Sequence, residues 1–168
     1  MEAAGKVLVV NYEKCTGCRL CELVCAVQHD GVSNPVRSRI KVMKWESEGL
    51  YIPMSCQQCE DAPCLNVCPV KAISRDEELS RVVIDYDKCI GCRSCVAVCP
   101  FGAMSFNSIE GKVFKCDLCE GDPQCVRFCD VKAVDYVDAS DVSILKKREA
   151  ATRLSLAGKE AAALLAEA

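Results

Sequence analysis

Sixteen cysteines dominate the chemistry open to this 168-residue chain, and they fall into four groups of four. Group one is Cys15, Cys18, Cys21 and Cys25, spaced C-x2-C-x2-C-x3-C. Group two is Cys56, Cys59, Cys64 and Cys68, spaced C-x2-C-x4-C-x3-C. Group three, Cys89, Cys92, Cys95 and Cys99, repeats the first spacing, and group four, Cys116, Cys119, Cys125 and Cys129, runs C-x2-C-x5-C-x3-C. No cysteine is left over. Thiols at this density either pair as disulfides or ligate metal. Structural zinc pairs two C-x2-C hairpins and has no use for a third cysteine two residues later.

Three thiolates within seven or so residues, on a tight loop carrying Gly17 or Gly91, wrap three corners of a cubic iron–sulfur cluster. The fourth, three residues on, is expected to begin a helix leading away from that loop, aimed at a different cluster, as in two-cluster bacterial ferredoxins. Cys68-Pro69 and Cys99-Pro100 carry the proline that accompanies this pattern, whereas Ala26 follows Cys25 and Asp130 follows Cys129.

The groups sit on an internal repeat. Val9 to Arg19 (VVNYEKCTGCR) recurs at Val83 to Arg93 (VIDYDKCIGCR), and Val70-Lys71-Ala72-Ile73 after group two recurs as Val131-Lys132-Ala133-Val134 after group four. The order is therefore A, B, A′, B′. Each A unit opens on a β-branched run that reads as a strand, and each B unit ends in a short helix and a strand start. Between groups two and three, a polar turn around Ser74–Ser80 and the run Arg81–Asp85 form the hairpin connector of a two-cluster module, which pairs B with A′. A and B′ then form the second module, with a strand at Lys6–Asn11 beside one at Ala133–Val137. Four sites are expected: Cys15, Cys18, Cys21 with Cys129; Cys116, Cys119, Cys125 with Cys25; Cys56, Cys59, Cys64 with Cys99; and Cys89, Cys92, Cys95 with Cys68. Pairing group one with two and three with four is the rival arrangement.

The expected fold class is α+β: two ferredoxin-like 2[4Fe–4S] modules, a polyferredoxin, over residues 5–138, and a C-terminal helical extension over 139–168. The inner module spans about 50–108, and the outer one is assembled from 5–30 with 109–138. Ser140 or Asp141 caps the extension, whose Ile144, Leu145, Leu154, Leu156, Leu164 and Leu165 give partial helical periodicity. Such a helix clasps a catalytic partner, docks on a second copy of the chain and so stacks it into a filament, or frays.

Full ligation by sixteen cysteines leaves no open iron for a substrate. No H-E-x-x-H, no Ser/His/Asp set and no G-x-G-x-x-G after a strand is present, so the chain reads as a non-catalytic carrier of electrons. The only histidine, His29, reads as a surface or connector residue, and Trp45 and Tyr51 as core. Lys14, Lys88 and Lys115 each precede a first cysteine, where positive charge favours a reduced cluster and solvation is the plainer role. A net charge of −3, a pI near 5.3 and 5% aromatic residues give no basis for nucleic-acid binding. No apolar run reaches the roughly 18–20 residues of a membrane span, and no signal peptide or twin-arginine pair opens the chain. A cytoplasmic protein is expected.

The four-group arrangement from Val7 to about Val137 resembles the four-cluster ferredoxin-like subunits of molybdenum and tungsten oxidoreductases, related to those of formate dehydrogenases, membrane-linked hydrogenases and carbon monoxide dehydrogenases. The connector narrows it. Gln28-His29-Asp30, Asn34-Pro35-Val36-Arg37-Ser38-Arg39-Ile40, Gly49-Leu50-Tyr51-Ile52-Pro53 and Cys56-Gln57-Gln58-Cys59 resemble the small iron–sulfur subunits of tungsten-dependent aldehyde oxidoreductases and class II benzoyl-coenzyme A reductases. The resemblance implies four [4Fe–4S] clusters, with the outer groups sharing two and the inner groups two. It also implies a larger catalytic subunit with a tungsten or molybdenum pterin, and a flavin subunit or other redox partner. A free-standing polyferredoxin is the alternative.

Overall fold

Short elements surround the cysteine loops, because each loop leaves only a few residues for regular structure. The computed structural model describes residues 5–144 together with 146, 147, 151 and 155. Eight strands are seen: β1 (Lys6–Val10), β2 (Ile40–Trp45), β3 (Leu50–Ser55), β4 (Ile73–Asp76), β5 (Arg81–Ile84), β6 (Ser105–Asn107), β7 (Lys112–Phe114) and β8 (Val134–Asp138). Among the described residues they are accompanied, before the extension, by the α-helices α1 (Leu20–Asp30), α2 (Pro63–Asn66), α3 (Ser94–Val98) and α4 (Gln124–Arg127). Every sheet is a single pair: β1 with β8, β2 with β3, β4 with β5, and β6 with β7.

The β-branched runs of the repeat become β1 and β5. Ile73 faces Ile84 and Asp76 faces Arg81 in the antiparallel β4–β5 hairpin, which starts where the Ala72-Ile73 signal falls and carries the strand through Asp76. The first and last strands pair across the sequence, and Asn11 N donates to Ala133 O at 2.8 Å. Helix α1 packs against α4, and α2 against α3.

Two hydrophobic clusters follow the same division. One gathers Cys21, Cys25, Ile40, Val42, Cys125 and Val134 from both halves of the sequence. The other gathers Ala62, Ile73, Val82, Cys95, Met104 and Val113 from its middle. By contacts the chain divides into residues 8–136 and a second unit made of its two ends. In that second unit Ala139 N donates to Gly5 O, and a helical turn at 142–144 opens the expected extension. Leu145, Leu154, Leu156, Leu164 and Leu165 of the extension lie outside the described residues.

One expectation is corrected. The helix does not begin at the fourth cysteine of a group; in three groups it ends just before it. Each third cysteine (Cys21, Cys64, Cys95, Cys125) is instead the second residue of its helix. A proline opens α2, and Pro123 precedes α4, pre-setting φ for the first turn. In front of α1 and α3 the same job falls to Arg19 and Arg93, both left-handed at φ 62° and 66°. Pro100 cannot continue a helix, so α3 stops at Val98. Ala26 imposes no such stop, and α1 carries Cys25 in its middle and runs to Asp30 before closing on Gly31.

Candidate metal centres

Three cavities are each lined by four cysteines from two groups. Cys15, Cys18, Cys21 and Cys129 line one. Cys89, Cys92, Cys95 and Cys68 line the second, and Cys56, Cys59, Cys64 and Cys99 the third. Cys116, Cys119, Cys125 and Cys25 also lie together: the charges of Cys116, Cys25 and Cys119 all push the Cys125 thiol up, after burial, its main cause. No disulfide links any of the sixteen.

A recurrent turn holds each fourth cysteine. After Cys68, Cys99 and Cys129 the amide three residues on (Lys71, Gly102, Lys132) donates to the cysteine carbonyl at 3.1–3.2 Å. That residue is left-handed in all three cases. The next amide then turns onto sulfur: Ala72 N to Cys68 Sγ at 3.2 Å, Ala103 N to Cys99 Sγ at 3.3 Å, and Ala133 N to Cys129 Sγ at 3.2 Å. Cys25 is the exception, because the residues after it stay helical. Its sulfur takes the amide of Arg39 at 3.3 Å, 14 residues away. N–H donation to sulfur stabilises the anionic thiolate and is one of the levers that set cluster potential.

The donor set fits a cubane iron–sulfur cluster: four thiols converge from two loops, and amide dipoles already aim at sulfur. Burial pushes the Cys21 and Cys116 thiols up to about 12 and that of Cys95 to about 11, so these sites need a bound cation to hold thiolates at neutral pH. Neighbouring charges also order the four sets. Cys21 acts on Cys125, Cys56 on Cys116, and Cys64 on Cys95. The sets therefore form a series, from the Cys15 set through the Cys116 and Cys56 sets to the Cys89 set. Cys18 and Cys92, in the first and last sets, are the exposed cysteines, while Cys21, Cys25, Cys95, Cys116 and Cys125 are buried.

The loops close only around glycine. A Cβ on Gly91 would stand 2.1 Å from the carbonyl oxygen of Gly111 in the β6–β7 turn, and one on Gly17 would stand 2.6 Å from the Tyr51 ring. In each A unit the following hairpin thus sits directly on the cysteine loop. Tyr51 packs with the first hydrophobic cluster, but Trp45 is 45% exposed at the end of β2, outside the core expected for it.

Sequence reasoning missed two groups that touch these loops. Glu22 is 1% exposed; Oε2 accepts from Arg19 at 2.6 Å and Oε1 accepts the Val42 amide at 2.7 Å, pinning β2 to α1. His29 is not a surface residue: its side chain is 11% exposed, with Nε2 at 3.4 Å from Asp117 Oδ1 and 3.6 Å from Cys119 Sγ. Burial and then Arg39 hold its pKa below the usual value. Helical position offered the only signal, since Glu22, Cys25 and His29 recur at three- and four-residue steps along one face.

Residues 47–139 match the 4Fe-4S dicluster domain, and residues 8–25 the 4Fe-4S binding domain. The chain belongs to the 4Fe-4S dicluster domain family. It is similar to the polyferredoxin-like subunit of the aliphatic sulfonate oxidoreductase of Pyrococcus furiosus, with 43% identity over 73% of this chain and 70% of that protein. It is also similar to the electron transport protein HydN of Escherichia coli, with 36% identity over 84% of this chain and 93% of that protein. Among solved structures, the active site complex BamBC of benzoyl coenzyme A reductase with zinc matches at a TM-score of 0.49 and 26% identity, over 85% of this chain and 88% of that one. This chain is an iron–sulfur electron-transfer protein with a non-catalytic role. Among the described residues no helix is long and apolar enough to cross a membrane.

Proposed function

We propose that this chain is the electron-transfer subunit of a larger oxidoreductase and holds four [4Fe–4S] clusters. The ligands are Cys15, Cys18, Cys21 and Cys129; Cys116, Cys119, Cys125 and Cys25; Cys56, Cys59, Cys64 and Cys99; and Cys89, Cys92, Cys95 and Cys68. Each cluster supplies one-electron chemistry. The protein orders the clusters, insulates the middle ones and presents the ends. The first and last pairs of sets form an outer module (5–30 with 109–138) and an inner module (about 50–108). The carrying observation is the series itself, with one exposed cysteine in each end set, Cys18 and Cys92, and none in the two middle sets. A row with two accessible ends suits entry at one partner and exit at another, whereas a storage protein needs only one.

The catalytic partner carries a tungsten or molybdenum pterin and oxidises an aldehyde, and the other partner is a flavin subunit or equivalent acceptor. Two features support this: the connector residues from Gln28 to Cys59, and the subunit status of the sulfonate oxidoreductase relative. Anaerobic purification at native abundance tests the whole reading. Roughly 16 iron and 16 sulfide per chain are expected from four cubanes, with a larger tungsten- or molybdenum-containing subunit copurifying. An 18.3 kDa chain that elutes alone with all its iron would instead be a free-standing polyferredoxin. Zinc in place of iron would end both.

A further inference from the structure

Three lysines stand immediately before a first cysteine, and the structure separates them. Lys14 and Lys88 are exposed, and Lys88 Nζ lies 2.7 Å from Asp85 Oδ2. Lys115 is only 3% exposed. Its Nζ donates to Cys116 O at 2.7 Å and to Gln58 Oε1 at 3.3 Å. Among the described residues, none of its hydrogen-bond acceptors is a carboxylate. Asp117 and Glu120, which border the same small cavity, are engaged elsewhere. Asp117 pairs with Arg39 at 2.5 Å and with His29, and Glu120 with Arg81 at 2.5 Å.

Gln58 positions this ammonium without neutralising it. Its Nε2 donates to Cys116 O at 2.9 Å, and its Oε1 also accepts the Val82 amide at 2.9 Å. The clamp ties the group-two loop, strand β5 and the group-four loop together around one positive charge. A buried cation without a negative partner is strongly unfavourable, so the compensating charge must come from something other than a side-chain carboxylate. Anionic sulfur stands on both sides. The Lys115 charge acts on Cys64 in the third set and on Cys116 in the second, drawing both thiols down against the dominant effect of burial.

We infer that Lys115 is the fixed, buried counter-charge of the two middle sets, placed where the two halves of the series meet, and that it makes the clusters held there easier to reduce than the same ligands would make them alone. The inference rests on the four-cluster reading. Reduction adds one negative charge to a cluster already carrying four thiolates, and an ammonium in a site shielded from water favours the more negative state. The middle of the row thus becomes the place where an electron rests between the two ends. Lys14 and Lys88, solvated and screened, have no comparable leverage.

Redox titration of the full, iron-loaded chain, followed by electron paramagnetic resonance, tests it on Lys115→Met, Lys115→Gln and Lys115→Arg. Both neutral variants should disfavour reduction of two of the centres by about tenfold, 59 mV for a one-electron couple, and leave the other centres in place. Lys115→Arg should stay within a factor of three of the parent, and Lys14→Gln and Lys88→Gln should do the same. If the neutral variants lose iron while Lys115→Arg keeps it, charge compensation is again the cause. A neutral variant with its full iron and no displaced centre would overturn the inference, as would Lys115→Arg losing iron together with the neutral variants. Iron and sulfide in the parent chain are read first: a count well below roughly 16 of each would overturn the four-cluster reading, whereas the Lys115 inference is judged on how the variants' shift and iron compare with the parent.

Discussion

Groups one and three have identical cysteine spacing, a glycine and a left-handed arginine at matching places, yet they hold their fourth cysteine by different means. At Cys99 the support is local. Pro100 ends α3, Gly102 makes the turn, and the Ala103 amide reaches the sulfur four residues on. At Cys25 the support is distant, because α1 runs on to Asp30 and the amide arrives from Arg39 on the approach to β2. The hairpin that follows is correspondingly larger: six residue pairs join β2 to β3, against three between β6 and β7. A ligand pattern therefore does not dictate its supporting shell. What separates the two is whether the helix stops before the last cysteine or runs through it; Cys129, followed by Asp130 rather than proline, also builds its shell nearby.

The comparison breaks most severely at the glycines. Gly91→Ala drives a Cβ into the Gly111 carbonyl and adds a left-handed cost of about 1–2 kcal/mol. It should lower iron content in the group-three loop outright. Gly17→Ala carries the same left-handed cost, but its nearest neighbours are side-chain atoms of the Tyr51 ring rather than backbone, and it should retain more iron. Equal losses in the two, measured by iron and sulfide assay, would show that the hairpins grip both loops alike.

Next in size is Ala26→Pro, which makes group one resemble group three. It removes an interior helix hydrogen bond and crowds a fully buried position, and it should cost about 3 kcal/mol or more. The thermal melt of the iron-loaded chain should drop accordingly; an unchanged melt would mean that α1 beyond Cys25 is dispensable. Glu22→Ala comes third. It strands the buried Val42 amide, at about 1–3 kcal/mol in denaturant unfolding, and releases the exposed Arg19 guanidinium to water. Glu22→Gln, which keeps an acceptor for Val42, should recover part of that loss. The smallest effect is expected for Pro100→Ala, under about 1 kcal/mol. With the stop removed, α3 gains freedom to lengthen, and the Ala103 amide should exchange faster with solvent. No change in that one amide would argue that Gly102, not Pro100, sets the turn.

The cysteine groups, the A, B, A′, B′ order, the strands at Val9-Val10 and Val83-Ile84 and the β4–β5 hairpin were legible in the sequence because each rests on local spacing or β-branched runs. The juxtaposition of Val134 with the first strand was legible through the repeat. What escaped was anything decided by distant packing. Nothing near Glu22 announces that β2 will bury it, and nothing near Lys115 distinguishes it from Lys14 or Lys88. The helix expected to start at the fourth cysteine was misplaced because its real start depends on Pro63, Pro123 and two strained arginines. Trp45 shows the reverse error, an aromatic residue assigned to the core that ends on the surface.

Strand β1 leaves the ribosome well before its partner β8. The cavity around Cys15, Cys18 and Cys21 lacks its fourth wall until Cys129, more than 100 residues later, has been synthesised. The nascent chain thus carries three unsheltered thiols until that stretch has been made, while the middle groups can complete themselves. In this sense the first loop can be completed only after Cys129 has emerged, and oxygen encountered before β1 and β8 meet would strike there first.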